Sequence, residues 1–551
     1  MADPNMLCYS TAPNNYINEH AEEIARTYDG FIYPVHSWDE GVKAKLGLPG
    51  EPAEDPDWLP RAAENVQALR SAGATESLLD VSFGANAEWP SSDLLLSNTY
   101  TDKFRRHFAA LGRAAKQAGF AGVCIDTEYC YKRYVLDHEI YTYDGYTPGD
   151  LRAAARRQGM AVLQGVLDEF PDAVVMVIPG SLRITKPLER DFILGFLATM
   201  AERDAPGGMH MGTEYAYCLH DRVTQAAIAR VEDCGIWQIA DPKELDYWRR
   251  RCTIAPGVWP FHMVETGGEG YPQRPWNEEM ADLKEQLDIL RHTSKRYIWS
   301  FSSHAAWLPP KEEYAEQFGL HIPTFEGASE AVNGWHAALQ NSKTEHDPRM
   351  RKLFDAVRRF DCGAVNGEEL CHSFGTPARW WFLGPTGNPH TTPSRTAWEA
   401  LQRPVRTHDV YYGRDGAVRW FDWEPLDPRG VFAIRESLDC IGIDDAAAHL
   451  VTWVVSDAAR DAFLHIGWDD GLQLRVGDEL MFDRADYPPE GHGAQFRDKY
   501  QFEEVVKVRL PEGRTRLAAT SINLRDVWQF QLRITDADGY PIEGITFDQG
   551  D

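Results

Sequence analysis

Two carboxylates one residue apart, Asp126 and Glu128, close the run Gly122-Val-Cys-Ile-Asp-Thr-Glu. The run is apolar and β-branched up to its first acid, as a buried parallel strand should be. Side chains alternate along a strand, so Cys124, Asp126 and Glu128 share one face. A strand that carries two acids to a common face needs a reason, because unpaired buried charge is costly. An ion pair with arginine or a helix-capping aspartate is the bland account. An acid/base site in a barrel enzyme is the favoured one. The aspartate beside Glu128 would raise its pKa by like-charge repulsion and keep a proton on it near neutral pH. Acids also end two later apolar runs, Glu214 after Met209-His-Met-Gly-Thr and Glu265 after Gly257-Val-Trp-Pro-Phe-His-Met-Val. In glycoside hydrolysis one carboxyl protonates the leaving oxygen, and a second attacks, activates water or steadies a cationic intermediate. Four acids at strand ends suit that chemistry, with Glu128 as general acid and Asp126 assisting. For Glu214 and Glu265 a substrate hydrogen bond or a structural pair is an equal alternative.

The elements that must position these acids alternate from residue 6 to about 305. Strands are predicted at Met6–Ser10, Gly30–His36, Leu78–Gly84, Val123–Glu128, Ala173–Pro179 and Met209–Glu214, with amphipathic helices between them. The seventh strand has two candidates, Gly235–Ala240 and Gly257–Glu265. The second is chosen, since residues 221 to 252 read as helices around a tight turn. Tyr297–Ser303 is the eighth. Eight strand–helix repeats predict a (β/α)₈ TIM barrel, an α/β fold whose active site lies at the carboxyl ends of its strands. A doubly wound sheet would want a glycine-rich phosphate loop, and neither GxGxxG nor GxxxxGK occurs. Residues 306 to 362 read as helical and are expected to complete the barrel domain, 1–362.

After Gly363 the texture changes to short alternating strands with turn signals, among them Val410–Tyr412, Ala417–Phe421, Leu450–Val455, Ala462–Ile466, Leu472–Val476, Val505–Leu510 and Trp528–Ile534. That spacing predicts a C-terminal β-sandwich domain, 363–551. With 551 residues, two or three domains are expected. The formal charge of −28 argues against nucleic acid and anionic membrane surfaces as partners. Eighteen tryptophans on an acidic chain suit neutral sugars, which stack on aromatic faces, and suit large cores equally well. Nine cysteines without CxxC spacing read as free thiols. The start carries no basic and apolar leader pattern, so the cytoplasm is the default location, with secretion the alternative if a leader has been removed.

Phe120-Ala-Gly-Val-Cys-Ile-Asp-Thr-Glu-Tyr129 is similar to the chitinase-type glycoside hydrolase signature F-D-G-x-D-x-D-x-E-Y. Val81-Ser-Phe-Gly-Ala85 resembles that family's S-x-G-G on the third strand, Met211-Gly-Thr-Glu214 its M-x-Y-D on the sixth, and Trp299 falls where a tryptophan lies beneath the sugar. The resemblance implies a glycosidase-like barrel in which Glu128 is the general acid and Asp126 orients the substrate's acetamido group as nucleophile. The motif's first two aspartates are Ala121 and Cys124 here, and Thr213 stands in place of the M-x-Y-D tyrosine. A second pairing, Glu128 as acid/base with Glu265 as nucleophile after the seventh strand, needs no acetamido group. It requires carboxyls about 5 Å apart.

A sugar cleft at the strand ends would draw on His36, Trp38, Asn86, Trp89, Tyr129, Tyr215, Tyr217, Trp259, His262, Trp299 and Trp307. Each taken singly is more often core or loop packing. His36 and His262 show neither HxH nor HExxH spacing, and no metal or other cofactor is expected. The C-terminal run Ile466-Gly-Trp-Asp-Asp-Gly-Leu-Gln-Leu-Arg-Val-Gly-Asp resembles a hairpin of galactose-binding-like and protective-antigen-type sandwiches. Asp469 and Asp470 could there bind calcium or a sugar hydroxyl, though Asp-Gly is more often only a turn. The expectation is therefore a glycoside hydrolase acting on oligo- or polysaccharides. A non-catalytic carbohydrate-binding barrel and a metal-dependent barrel hydrolase or deacetylase are the alternatives.

Overall fold

Eight short segments of the N-terminal half pair in chain order, and the last returns to the first. In the computed structural model β1 (Asn5–Tyr9), β2 (Gly30–Pro34), β3 (Leu78–Ser82), β4 (Gly122–Asp126), β5 (Val174–Ile178), β6 (Met209–Thr213), β7 (Thr253–Val258) and β8 (Tyr297–Phe301) form a closed barrel. All neighbours are parallel, including β8 with β1. The structure describes the chain apart from residues 1–2, 10–14, 35–58, 83–95, 128–145, 179, 181, 183–186, 218–219, 236–240, 260–275, 302–333, 335, 341–344, 388–403, 438–442, 486–501, 503, 525–527 and 551. Among the described residues, no helix is long and apolar enough to cross a membrane.

Inward side chains fill the barrel, as expected of a packed parallel cylinder rather than a pore. Leu7, Ile32, Leu78, Cys124, Met176 and Trp299 are buried together there. Long helices lie between the strands: Leu59–Ser71, Asn98–Ala118, Pro148–Glu169, Pro187–Arg203, Pro242–Arg251 and Trp276–Thr293. Thr147 starts the helix Pro148–Glu169 with a capping box, its hydroxyl accepting from Asp150 N while the Asp150 carboxylate accepts from Thr147 N. Close helix packing depends on Gly159, where a Cβ would lie 2.0 Å from the Phe192 carbonyl oxygen of the next helix.

The seventh strand differs from expectation. It begins at Thr253 and ends at Val258, so only its last two residues coincide with the expected run. Pro256 lowers strand propensity in the sequence, because proline cannot donate to a ladder. In the barrel it pairs with Thr213 of β6.

By its contacts the chain forms two compact units, Met1–Leu219 with Ile236–Thr344, and His220–Gly235 with Glu345–Asp551. This division falls earlier than the expected 362/363 and moves the helix Pro348–Asp361 out of the barrel unit. That helix packs instead on Arg222–Ile228 and Gly367–Ser373.

The second unit contains β9 (Trp380–Gly387), the two-stranded β10 (Tyr411–Tyr412) and β11 (Ala417–Val418), β12 (Phe421–Trp423), β13 (Val431–Ala433), β14 (Ala446–Ser456), β15 (Arg460–Trp468), β16 (Gly471–Val476), β17 (Glu479–Asp483), β18 (Glu504–Leu510), β19 (Gly513–Asn523), β20 (Gln529–Thr535) and β21 (Ile545–Asp548). One sheet runs β12-β9-β14-β19-β16-β17, with β21 also on β14, and the other runs β13-β20-β15-β18. Trp380, Phe382 and Leu472 of the first sheet meet Phe432, Leu464 and Phe530 of the second in one buried core. This is a β-sandwich. Asp469-Asp470-Gly471 does not turn a hairpin, since β15 and β16 belong to different sheets and the dipeptide carries the chain across. The Asp470 carboxylate accepts from the Leu524 backbone N–H, which is a structural task.

Two buried arginines of the unit find their acids in other parts of its chain. Arg533 on β20 donates to Asp221 (2.7 Å) and to Thr224 (2.8 Å) at the start of the helix Arg222–Ile228. Arg230, wholly buried, makes a two-pronged contact with Asp361 at 2.8 and 2.6 Å.

Candidate active site at the barrel mouth

Parallel strands put all carboxyl ends on one rim. Tyr9, Asp126, Thr213, Val258 and Phe301 are the last residues of their strands and lie on that rim. Asp126 ends β4 and is 4% exposed. Its outward neighbour Thr127 donates to Glu189 Oε1 at 2.9 Å, while the Thr127 N–H goes to the Ile178 carbonyl at 2.6 Å. These bonds tie the end of β4 to β5 and to the first turn of the helix Pro187–Arg203, fixing the strand on which Asp126 sits.

A second acid lies beside it. Asp80, in the middle of β3, is fully buried and pairs in register with Cys124, while Ser82 pairs with Asp126. The Tyr9 hydroxyl donates to Asp80 Oδ2 at 3.0 Å. Since β2 separates β1 from β3, this bond crosses the barrel interior. Burial, and then the neighbouring charge of Asp126, hold the Asp80 carboxyl well above the usual carboxylate range, against hydrogen bonds from Tyr9 and Cys124. Burial, reinforced by Asp80 and Asp126, likewise pushes up the Tyr9 phenol and the Cys124 thiol.

An aromatic cluster occupies the β1, β7 and β8 side of the same rim. The Tyr9 ring stacks on Phe301 at 5.7 Å, Tyr217 stacks on Phe301 at 6.1 Å, and Trp259 meets Phe301 edge-on at 5.1 Å. All four rings are half-buried. One layer deeper, Trp299 is fully buried and donates its indole N–H to the Ala255 carbonyl at 3.0 Å. It therefore floors the cluster and presents no exposed face. Gly257 makes this possible, because a Cβ there would lie 2.4 Å from the Trp299 ring.

Of the other expected site residues, Glu214 is exposed directly after β6, and its carbonyl accepts from the Tyr217 N–H at 2.9 Å. Tyr215 is buried. His36, Trp38, Asn86, Trp89, Glu128, Tyr129, His262, Glu265 and Trp307 lie outside the described residues. Asp80, Tyr9 and Phe301 are not among the residues expected at the site from the sequence. A lone acid inside the apolar run Leu78-Leu-Asp-Val-Ser was the signal for the first, since charged residues are seldom wholly buried without a partner or a task.

No protein-family model matches the sequence, and no curated protein matches it significantly. Among solved structures, GH5_18 from Streptomyces cattleya in complex with GlcNAc is similar at TM-score 0.34 and 13% identity, over 66% of this chain and 92% of that one. A glucosidase from Croceicoccus marinus is similar at 0.33 and 11%, over 91% and 90%. Old Yellow Enzyme from Pichia sp. is similar at 0.33 and 11%, over 59% and 85%. Likenesses this faint carry no argument about chemistry.

Proposed function

We propose that this chain is a carbohydrate-active barrel hydrolase that cleaves glycosidic bonds in oligo- or polysaccharides, with Glu128 as proton donor and Asp126 assisting it. The observation that carries this reading is the presence of two buried carboxyls, Asp80 in the middle of β3 and Asp126 at the end of β4, on neighbouring strands of a closed parallel barrel. Such groups are held there at an energetic cost, which a purely structural barrel has no cause to bear. The half-buried rings of Tyr9, Tyr217, Trp259 and Phe301 support a sugar ligand, since a pyranose face stacks on aromatic carbon while its hydroxyls reach polar groups around it.

In this mechanism Glu128 gives its proton to the glycosidic oxygen as the bond to the anomeric carbon breaks. Asp126, two residues before it, disfavours ionisation of Glu128 and so keeps that proton in place near neutral pH. The second carboxyl is assigned to Glu265, with Glu214 as a hydrogen-bonding partner of the sugar. Retention of configuration is expected if Glu128 and Glu265 stand about 5 Å apart, inversion if they are further apart.

Glu128→Gln tests the assignment on a panel of chromogenic glycosides and oligosaccharides. Hydrolysis should fall by about 10²-fold or more, while oligosaccharide affinity measured by calorimetry stays within a few-fold. Unaltered turnover would reject Glu128 as the acid. Binding by the parent protein without turnover on any member of the panel would instead identify a carbohydrate-binding barrel.

A further inference from the structure

We infer that Gln286 is the positioning residue of a sugar-recognition turn after β6, and that it acts on the ligand through the ring of Tyr217. The sequence already sets Gln286 apart. In the helix Trp276–Thr293 the buried stripe runs Leu283, Gln286, Leu287 and Leu290, at the i, i+3, i+4, i+7 spacing of a packed helix face. An amide is costly in such a stripe unless it is hydrogen-bonded, and a leucine would fill the position without that cost. Gln286 is 1% exposed, and its side-chain NH2 donates to the Ala216 carbonyl at 2.7 Å. That bond spans 70 residues of chain and joins the helix between β7 and β8 to the turn that follows β6.

The turn Glu214–Tyr217 is closed by the bond from the Tyr217 N–H to the Glu214 carbonyl at 2.9 Å. Ala216 is wholly buried within it, so its carbonyl needs a donor, and Gln286 supplies one. The carbonyl that Gln286 grips belongs to the planar peptide unit leading into Tyr217, so holding it limits where the Tyr217 ring can lie. That ring is the hub of the aromatic cluster. It stacks on Phe301 at 6.1 Å and meets Trp299 and Trp259 edge-on at 5.5 and 5.6 Å. Three residues before Tyr217, the same turn exposes Glu214. A ring face and a carboxylate on one clamped turn suit a pyranose, the ring for its C–H face and the carboxylate for its hydroxyls. Gln286, being buried, reaches the ligand only through this turn.

The role of Gln286 rests on the carbohydrate reading of the site, and a double-mutant cycle in the full chain separates the two. Gln286→Met keeps the length of the side chain and removes its donor, while Tyr217→Ala removes the ring. Gln286→Met should raise KM for oligosaccharides about 5–10-fold with kcat within about two-fold of the parent protein's, as loss of one hydrogen bond that serves binding requires. Tyr217→Ala should raise KM about 10-fold or more. The pair should show no more than the Tyr217→Ala effect, because without the ring Gln286 has nothing to position. Gln286→Leu, the residue type of the surrounding stripe, should behave as Gln286→Met does and replaces it if the methionine variant does not fold. Calorimetric titration with oligosaccharides repeats the cycle as affinities, independently of turnover. Effects that multiply in the pair overturn the proposal, as does a loss confined to kcat, or a Gln286 variant that binds as tightly as the parent protein. Coupled losses of affinity without turnover would keep the proposal and reject the glycosidase reading. Turnover without coupling would do the reverse.

Discussion

Gly257 is the smallest residue at the mouth and has the largest neighbour. A methyl group at that position would press on the Trp299 indole, whose N–H is fixed on the Ala255 carbonyl. Gly257→Ala should therefore displace the aromatic floor. The expected loss is about 1–3 kcal/mol in urea unfolding, typical of overpacking in a core, together with altered tryptophan fluorescence. An unchanged unfolding midpoint would show that the floor yields more easily than the contact suggests. At this scale an acid stands out in the sequence both at the end of an apolar run, as at Asp126, and within one, as at Asp80, but the partners of the second do not. Those partners come from distant strands. Tyr9 and Asp80 are 71 residues apart, and no local pattern announces their bond.

Among the elements, the helix Asn98–Ala118 carries a testable strain. His107 is buried on it, and neither ring nitrogen has a hydrogen-bond partner among the described residues. Burial pushes its pKa down to about 4. The folded value thus lies below the ordinary value of about 6.5, so the unfolded chain binds the proton first as pH falls. This contribution to stability is intact above pH 6.5 and is lost progressively towards pH 4, by about 3 kcal/mol in full. His107→Leu should flatten the pH dependence of the unfolding midpoint across that window. It should also stabilise the fold at pH 7 by removing an unsatisfied polar group. A variant whose pH dependence tracks the parent protein would refute the assignment.

Seven of the eight barrel strands were legible because each is a short apolar run bounded by helical patterns, whereas β7 was obscured by Pro256 and Gly257. In the sandwich, β19 went unread although it lies between β14 and β16 and is buried from Leu517 to Asn523. Its run Leu517-Ala-Ala-Thr-Ser carries two alanines, poor strand formers, in place of the alternating large apolar residues that mark the other strands.

For the whole molecule, the change of texture in the sequence precedes the strands of a β-sandwich, which begin at Trp380. It could not reveal that the second unit is discontinuous. That membership is written in Arg230 with Asp361 and in Asp221 with Arg533, pairs far apart in sequence. Residues 345–551 expressed alone would leave Arg533 buried without its acid and Asp361 without its guanidinium. A buried guanidinium left without its acid is costly, since its charge is then uncompensated away from water. Such a fragment should lack cooperative thermal unfolding, and restoring 220–235 through a flexible linker should recover it. Equal stability of both forms would contradict this role of the inserted segment.

The same discontinuity has a temporal side. A ribosome releases His220–Gly235 between the sixth and seventh strands of the barrel, long before the sheets that hold it have been synthesised. The nascent chain must therefore keep Arg230 and Asp221 uncommitted while β7 and β8 are still to come. Translation in strict domain order, one module finished before the next begins, is not open to this polypeptide.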